Sequence, residues 1–310
     1  MDAEVTFTPS RKTPGRARGY IENYRPQAKT RTLLDDVRQV LDAYRNHWPL
    51  TCRQIYYRLI GAHGYPKTED FYKKLCHHLA NARRGSVVDF DAIRDEGIST
   101  VSLDHFDGEE HFKQYVRLLG RNYKRNLLAG QPMHIEVWCE AAGMIFQLAQ
   151  VAHEYSIPVY SSSGFDSLTK ALADRICEID KPTVILHLGD FDPSGESIFN
   201  SAAEDVQAFV EWDRTLATTT VKFQRVALTA DQVREFGLPT APPKVSDSRA
   251  RTWSGDTCQL EALPPDQIAD LVREAIVRVL DHRQLQFDRH LEGVEKVRIA
   301  VSLPAPGGAA

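Results

Sequence analysis

Residues 183–196 read TVILHLGDFDPSGE. A buried strand fits Val184–Gly189, where the run is apolar except for His187 and ends on a glycine before turning into a helix. Asp190 and Asp192 flank a single residue, so an extended backbone points both carboxylates to one side. They emerge at the carboxyl end of a strand, which is where open α/β sheets place their ligands. Paired hard oxygen donors at such an edge suit Mg²⁺, which is held by one or two carboxylates together with water and substrate phosphate. The same residues also read as an acidic turn in which Asp190 or Ser194 caps the next helix. Both readings stand at this point.

Around this stretch, strands and helices alternate. His134–Cys139, Val159–Ser161, Val184–Gly189 and Thr219–Leu228 have strand character, and Gly143–Tyr155, Leu168–Glu178 and Ser194–Trp212 have helical spacing. The alternation predicts an α/β unit with a largely parallel sheet over residues 131–300. Residues 237–256, rich in Pro, Ser and Arg, read as a loop. Pro264–Pro265 opens a helical region from Asp266 to about Lys296, and residues 301–310 form a frayed tail. Glu140 ends the first of these strands and is followed by Ala141, Ala142 and Gly143, small enough for a helix to start close by. If its strand neighbours that of Asp190 and Asp192, three acids converge without a compensating base, and a divalent cation is the natural resident. Glu196 is either a secondary ligand or a favourable acid in the first turn of its helix.

The front of the chain is different. Residues 1–130 hold 22 Lys and Arg against 16 Asp and Glu, and the rest holds 16 against 26, so the net charge of −4 hides a basic front and an acidic back. That asymmetry suits a polyanion held by one part and worked on by the other. Residues 1–31, with Arg11, Lys12, Arg16, Arg18, Arg25, Lys29 and Arg31 around three prolines, read as a flexible basic arm. Residues 32–130 begin with a helix over Leu33–Trp48, ended by Pro49. Thr51 to Gln54 is a capping-box pattern opening a helix to about Ile60. A further helix, Thr68–Arg84, buries Phe71, Leu75 and Leu79 and shows Lys73, His77, Asn81 and Arg84 on its other face. Gly85 closes it, and Ser86–Phe90 has strand character. Three helices followed by a short extended element resemble a winged-helix unit, with Lys73, His77, Asn81, Arg83 and Arg84 as its candidate contacts to double-stranded DNA. A basic helical stretch over 111–128 follows, and Gly130–Pro132 marks the boundary between the two units.

Hydrophobic residues at 42% and charged residues at 26% are ordinary for a globular protein. No apolar stretch approaches the roughly 20 residues of a membrane span. The five cysteines are scattered without a CxxC pair, which argues against structural zinc and for a reduced, cytoplasmic setting.

Taken in order, these motifs resemble a known family. A Glu after the first strand and DxDxxGE after a later one, here GDFDPSGE, look like a TOPRIM domain, the metal-binding module of topoisomerases, primases and some nucleases. Gly164 in SSSGFDS is similar to the glycine-bearing turn of these domains. The form DxDPxG, the earlier TCRQIYYRL and the late CQLEALPPDQIADLVREAI resemble the topoisomerase VI A subunit and its relative, the meiotic double-strand-break transesterase. The resemblance spans about residues 33–290. It implies Tyr57 as nucleophile, forming a 5′-phosphotyrosyl link to DNA, with Arg53 steadying the phosphate. It also implies Mg²⁺, or Mn²⁺, on Glu140, Asp190 and Asp192, with Glu196 secondary. In that family the tyrosine of one protomer works with the metal of the other, which implies a homodimer on DNA. No GHKL-type ATPase motif lies in the chain, so strand passage implies a separate ATPase subunit. Helix geometry independently favours Tyr57 over Tyr56: Cys52, Ile55, Tyr56, Leu59 and Ile60 form one apolar stripe, while Tyr57 lies off it with Arg53 one turn earlier. Two further functions fit the same residues. One is a TOPRIM nuclease acting through metal-activated water, in defence against foreign DNA. The other is a non-catalytic DNA-binding protein.

Overall fold

The central strand of the molecule is buried along its whole length, and its neighbours on both sides run parallel to it. The computed structural model describes residues 21, 23–94, 105–161, 173–179, 181–212, 220–243 and 248–302. Strands β1 (His134–Cys139), β2 (Val159–Ser161), β3 (Thr183–Leu188) and β4 (Val221–Ala227) form a four-stranded, all-parallel sheet in the order β2-β1-β3-β4. Successive side chains alternate between the faces. Ile135, Val137 and Cys139 of β1 and Val184, Leu186 and Leu188 of β3 enter the larger core, while Trp138 and Ile185 enter a smaller one. The larger core is covered by α5 (Ile145–Ala152) and α9 (Pro265–Val279), the smaller by α6 (173–179) and α7 (Pro193–Trp212). Covering both faces is what an all-parallel sheet requires.

Three helices precede the sheet: α1 (Ala28–Ala43), α2 (Cys52–His63) and α3 (Glu69–Arg84). The capping box of α2 forms as the sequence predicts, and Gly64 closes that helix in the left-handed conformation, three residues beyond the expected end. Thr68 caps α3 and Gly85 ends it. Val37, Leu59 and Leu75 of these helices belong to the same apolar cluster as Ile135 and Leu186, so the front and back of the chain share one core across the Gly130–Pro132 boundary.

Four expected elements differ. The first helix, expected over Leu33–Trp48, runs Ala28–Ala43 and is followed by a 3₁₀ turn at Arg45–His47, so Lys29 and Arg31 of the expected arm are helical. Ser86–Phe90 is not a strand: the Val87 and Val88 amides both donate to the Ala82 carbonyl, Arg38 donates to the Val87 carbonyl, and a 3₁₀ turn follows at Phe90–Ala92. The basic helix α4 (Glu109–Arg121) stops before 128 because the next segment is claimed elsewhere. The amide of Arg125 donates to Glu292, and its guanidinium pairs with Asp288 and Glu295. Those acids lie on α10 (His282–Ser302). The C-terminal helical region is split at Leu280–Asp281, where Gln131 bonds both the amide and the carbonyl of Asp281 while the Asp281 carboxylate caps α10. A short helix α8 (Ala230–Glu235) completes the set. Most of the basic arm, Gly164 and the tail at 303–310 lie outside the described residues. No helix among the described residues is long and apolar enough to cross a membrane.

Candidate functional site

The sheet order puts its topological switch between β1 and β3: the chain leaves β1 toward β2, then crosses back to β3 on the other side. A crevice opens there at the carboxyl ends of the strands, the usual ligand position of an open α/β sheet. Glu140 leaves β1 at this crevice, and Asp190 and Asp192 leave β3. Strand pairing thus brings the strand ends that carry the three expected acids to one crevice.

Each of them accepts a backbone amide. Glu140 Oε2 accepts from Asp190 N–H at 3.4 Å, Asp190 Oδ1 from Leu260 N–H at 2.8 Å, and Asp192 Oδ1 from Gly195 N–H at 2.7 Å. The last bond fixes the turn into α7, so the acidic-turn reading of Asp192 holds alongside any other role. Gly195 is required by space: a Cβ there would run into the Asp190 carbonyl oxygen and lie 3.2 Å from Glu140 Oε2. Burial, then the charge of Asp190, pushes the Glu140 carboxyl up to about 7. Burial raises Asp190 as well, against the Leu260 amide that lowers it. With oxygens turned to amides, no set of three His, Cys, Asp or Glu among the described residues converges on a single metal position. The donor chemistry still suits a hard cation, since two carboxylates and water suffice for Mg²⁺ and the mutual repulsion of these acids is relieved by one. Glu196 is half-buried in the first turn of α7, its amide bonded to the Asp192 carbonyl.

The base that the sequence reading missed is Arg225, on β4. Its guanidinium donates to the carbonyls of Gly189 (3.0 Å) and Asp190 (2.6 Å) and lies 3.2 Å from His187 Nδ1. Burial and this guanidinium drive His187 down to about 3, so its ring is neutral. Arg225 feels the charges of Glu196, Glu140, Asp190 and Asp192, and it is the resident counter-charge of the acid cluster.

A cleft of about 320 Å³ adjoins the crevice. Arg53 and Tyr57 of α2 line it together with Asp192 and Pro193, although 135 residues separate Tyr57 from Asp192. Tyr57 is as buried as Tyr56, which departs from the expectation that only Tyr56 faces the interior. The apolar stripe of α2 does enter the core, but the opposite side of the helix is covered by residues 258–262. Tyr57 donates its hydroxyl proton to Gln259 Oε1 at 2.6 Å, and Tyr56 donates to the Thr68 carbonyl at 3.2 Å. Burial raises the Tyr57 phenol well above its ordinary value, and Arg53 opposes this only in part. Arg53 itself lies 3.8 Å from Glu261 and over the ring of Tyr72.

Five consecutive residues join the two sides. Cys258 pairs its backbone with Phe191, Gln259 accepts from Tyr57, and Leu260 donates to Asp190. Glu261 accepts from Thr51 Oγ1 at 2.8 Å, and the Ala262 carbonyl accepts from Arg58. Gln259 and Glu261 stand inside the CQLEALPP stretch, but that stretch carries no periodic pattern that would single them out.

The face of α3 expected to meet DNA does not line the cleft. Lys73 is exposed and pairs with Glu69 at 3.6 Å, and His77 is exposed beside Asn81 at 3.0 Å. Arg84 is half-buried, its carbonyl accepting from the Ile21 amide. Arg83 points elsewhere, donating to the Phe90 carbonyl and stacking 4.7 Å over the Phe90 ring. Neither a family model, nor a curated protein, nor a solved structure matches the chain. The functional reading therefore rests on the residues and their geometry.

Proposed function

We propose that the chain is a metal-dependent DNA-cleaving transesterase resembling the topoisomerase VI A subunit, with a winged-helix-like front and a TOPRIM-like α/β unit. The observation that carries this reading is the shared cleft. A tyrosine and an arginine one helical turn apart line the same cavity as an acid from the switch crevice of a parallel sheet.

In this reading a backbone phosphate enters the cleft and Arg53 steadies its charge. Tyr57 Oη attacks phosphorus, forming the tyrosyl–phosphate bond as the bond to the 3′ oxygen breaks. The phenolic proton leaves Gln259 and ends on the departing 3′ oxygen, so the step is balanced and reversible. Glu140, Asp190 and Asp192 would hold Mg²⁺ or Mn²⁺, which when bound supplies charge stabilisation to the phosphate and the leaving oxygen. Tyr57 and Asp192 line one cleft within one chain. In this reading, unlike the cross-protomer pairing that the family resemblance implies, one copy therefore cuts one strand, and a double-strand break calls for a homodimer on duplex DNA. Strand passage would further need a separate ATPase subunit.

The test uses supercoiled plasmid and Mg²⁺, with and without protease before electrophoresis. Linear or nicked DNA released only after protease supports the tyrosyl link, and both Tyr57→Phe and Asp190→Ala should abolish it. One observation favours a hydrolytic nuclease instead: Tyr57 is buried, bonded to Gln259 and raised above its ordinary value, which keeps it protonated. Cleavage that needs no protease, persists in Tyr57→Phe and disappears in Asp190→Ala would establish that second reading.

A further inference from the structure

The loop between α2 and α3 places a second cation in the cleft. Lys67 lines it with Arg53, Tyr57 and Asp192, and its ammonium sits 5.6 Å from the centre of the Tyr57 ring. The loop is held firmly. The Thr68 amide donates to the Pro66 carbonyl at 3.0 Å, Tyr56 bonds the Thr68 carbonyl, and Thr68 caps α3. A side chain on such a support is preorganised rather than free to sweep.

The two cations differ in how far they are neutralised. Arg53 has Glu261 at 3.8 Å and the face of Tyr72 beneath it. Lys67 donates to one neutral acceptor, the Pro239 carbonyl at 2.8 Å, and among the described residues no carboxylate lies within ion-pairing distance of it. Asp256 acts on it only at longer range, and burial lowers its proton affinity. An ammonium has three donors and no acceptor. A half-buried one whose partners are one carbonyl and an aromatic ring carries a desolvation penalty that an incoming anion relieves. The cleft, at about 320 Å³, is at the lower end of the roughly 300–1,000 Å³ of small-ligand pockets. A volume of that size suits a single phosphodiester with its adjoining sugar rather than a whole duplex.

We propose that Lys67 is a second phosphate-binding residue, lining the cleft together with Arg53, and that the cleft takes one phosphodiester of one strand at a time. This rests on the reading of the cleft as the DNA-cleavage site, but binding tests it separately from cleavage. The probe is a short fluorescein-labelled oligothymidylate, titrated without divalent metal over a series of salt concentrations. Lys67→Gln should weaken binding about tenfold, as expected for one charge-assisted bond. It should also flatten the dependence of log K on log salt by about 0.7, the share of one phosphate contact on a single strand. Lys67→Arg should restore both. Wild-type protein gives an independent measurement through amine acetylation read by peptide mass spectrometry, in which the oligonucleotide should shield Lys67 and leave exposed Lys222 reactive. Unchanged affinity and slope in Lys67→Gln, or equal acetylation of Lys67 with and without probe, would overturn the proposal while leaving the transesterase reading intact. Failure of Tyr57→Phe to abolish a covalent adduct would overturn that reading and leave the phosphate site standing.

Discussion

Replacing Glu140 by glutamine removes a carboxylate that burial, reinforced by Asp190, pushes up from 4.5 to about 7. The direction of the linkage follows from proton binding. Between those two values the folded chain holds a proton that the unfolded chain has lost, so stability falls as pH rises through the window and stays low above it. At about 1.4 kcal/mol per pH unit, full ionisation carries roughly 3 kcal/mol of destabilisation. The crevice is partly open to solvent, and screening reduces this to about 2 kcal/mol. Glutamine keeps an oxygen for the Asp190 amide and carries no charge. Glu140→Gln should therefore match wild type near pH 4 and exceed it by about 2 kcal/mol at pH 8, a melting difference of roughly 4 °C. Thermal or urea unfolding of both proteins across this range, in chelator, measures the effect. Saturating Mg²⁺ at pH 8 should then raise the wild type and leave the variant behind, since a ligand stabilises only the state that binds it. A difference between the proteins that is flat with pH, or that grows toward acid, would refute the argument.

Two further outcomes follow from the same crevice. Arg225→Met should cost about 3–5 kcal/mol in urea unfolding, because it strands two carbonyls and leaves the acids without their counter-charge. In the Glu140→Gln background that cost should shrink by about 1 kcal/mol, and strict additivity would show that the two groups do not interact. Gly195→Ala should destabilise by about 2–3 kcal/mol, since the added carbon meets the rigid Asp190 carbonyl rather than a side chain that can swing away. An unfolding midpoint equal to wild type would contradict the close approach.

Much of the α/β half was legible because its signals are local. The apolar runs of β1 and β3 end where hydrophobic burial ends, and Thr51 and Gln54 announce the start of α2 through bonds three residues apart. Glu140, Asp190 and Asp192 could be placed together because a parallel sheet brings strand ends into line. The bonds that shape the cleft were not legible in the same way. Tyr57 and Gln259 meet across 202 residues, Thr51 and Glu261 across 210, and no periodicity marks either partner. Arg225 was missed because an arginine within a strand gives no sign of which strand end it will reach. Val87 and Val88 misled for the opposite reason: they have strand character, but their amides fold back onto the end of α3.

The run from Cys258 to Glu261 engages the β3 edge and α2 in alternation, residue by residue, and Ala262 engages α2 once more. Its two sides are consequently one cooperative unit. A motion that lifts this segment from α2 releases the tyrosine hydroxyl and, through the next peptide, the amide that holds Asp190. The Tyr57 hydroxyl and the acid cluster are held and released together, so any partner that pries this segment loose acts on both with a single movement.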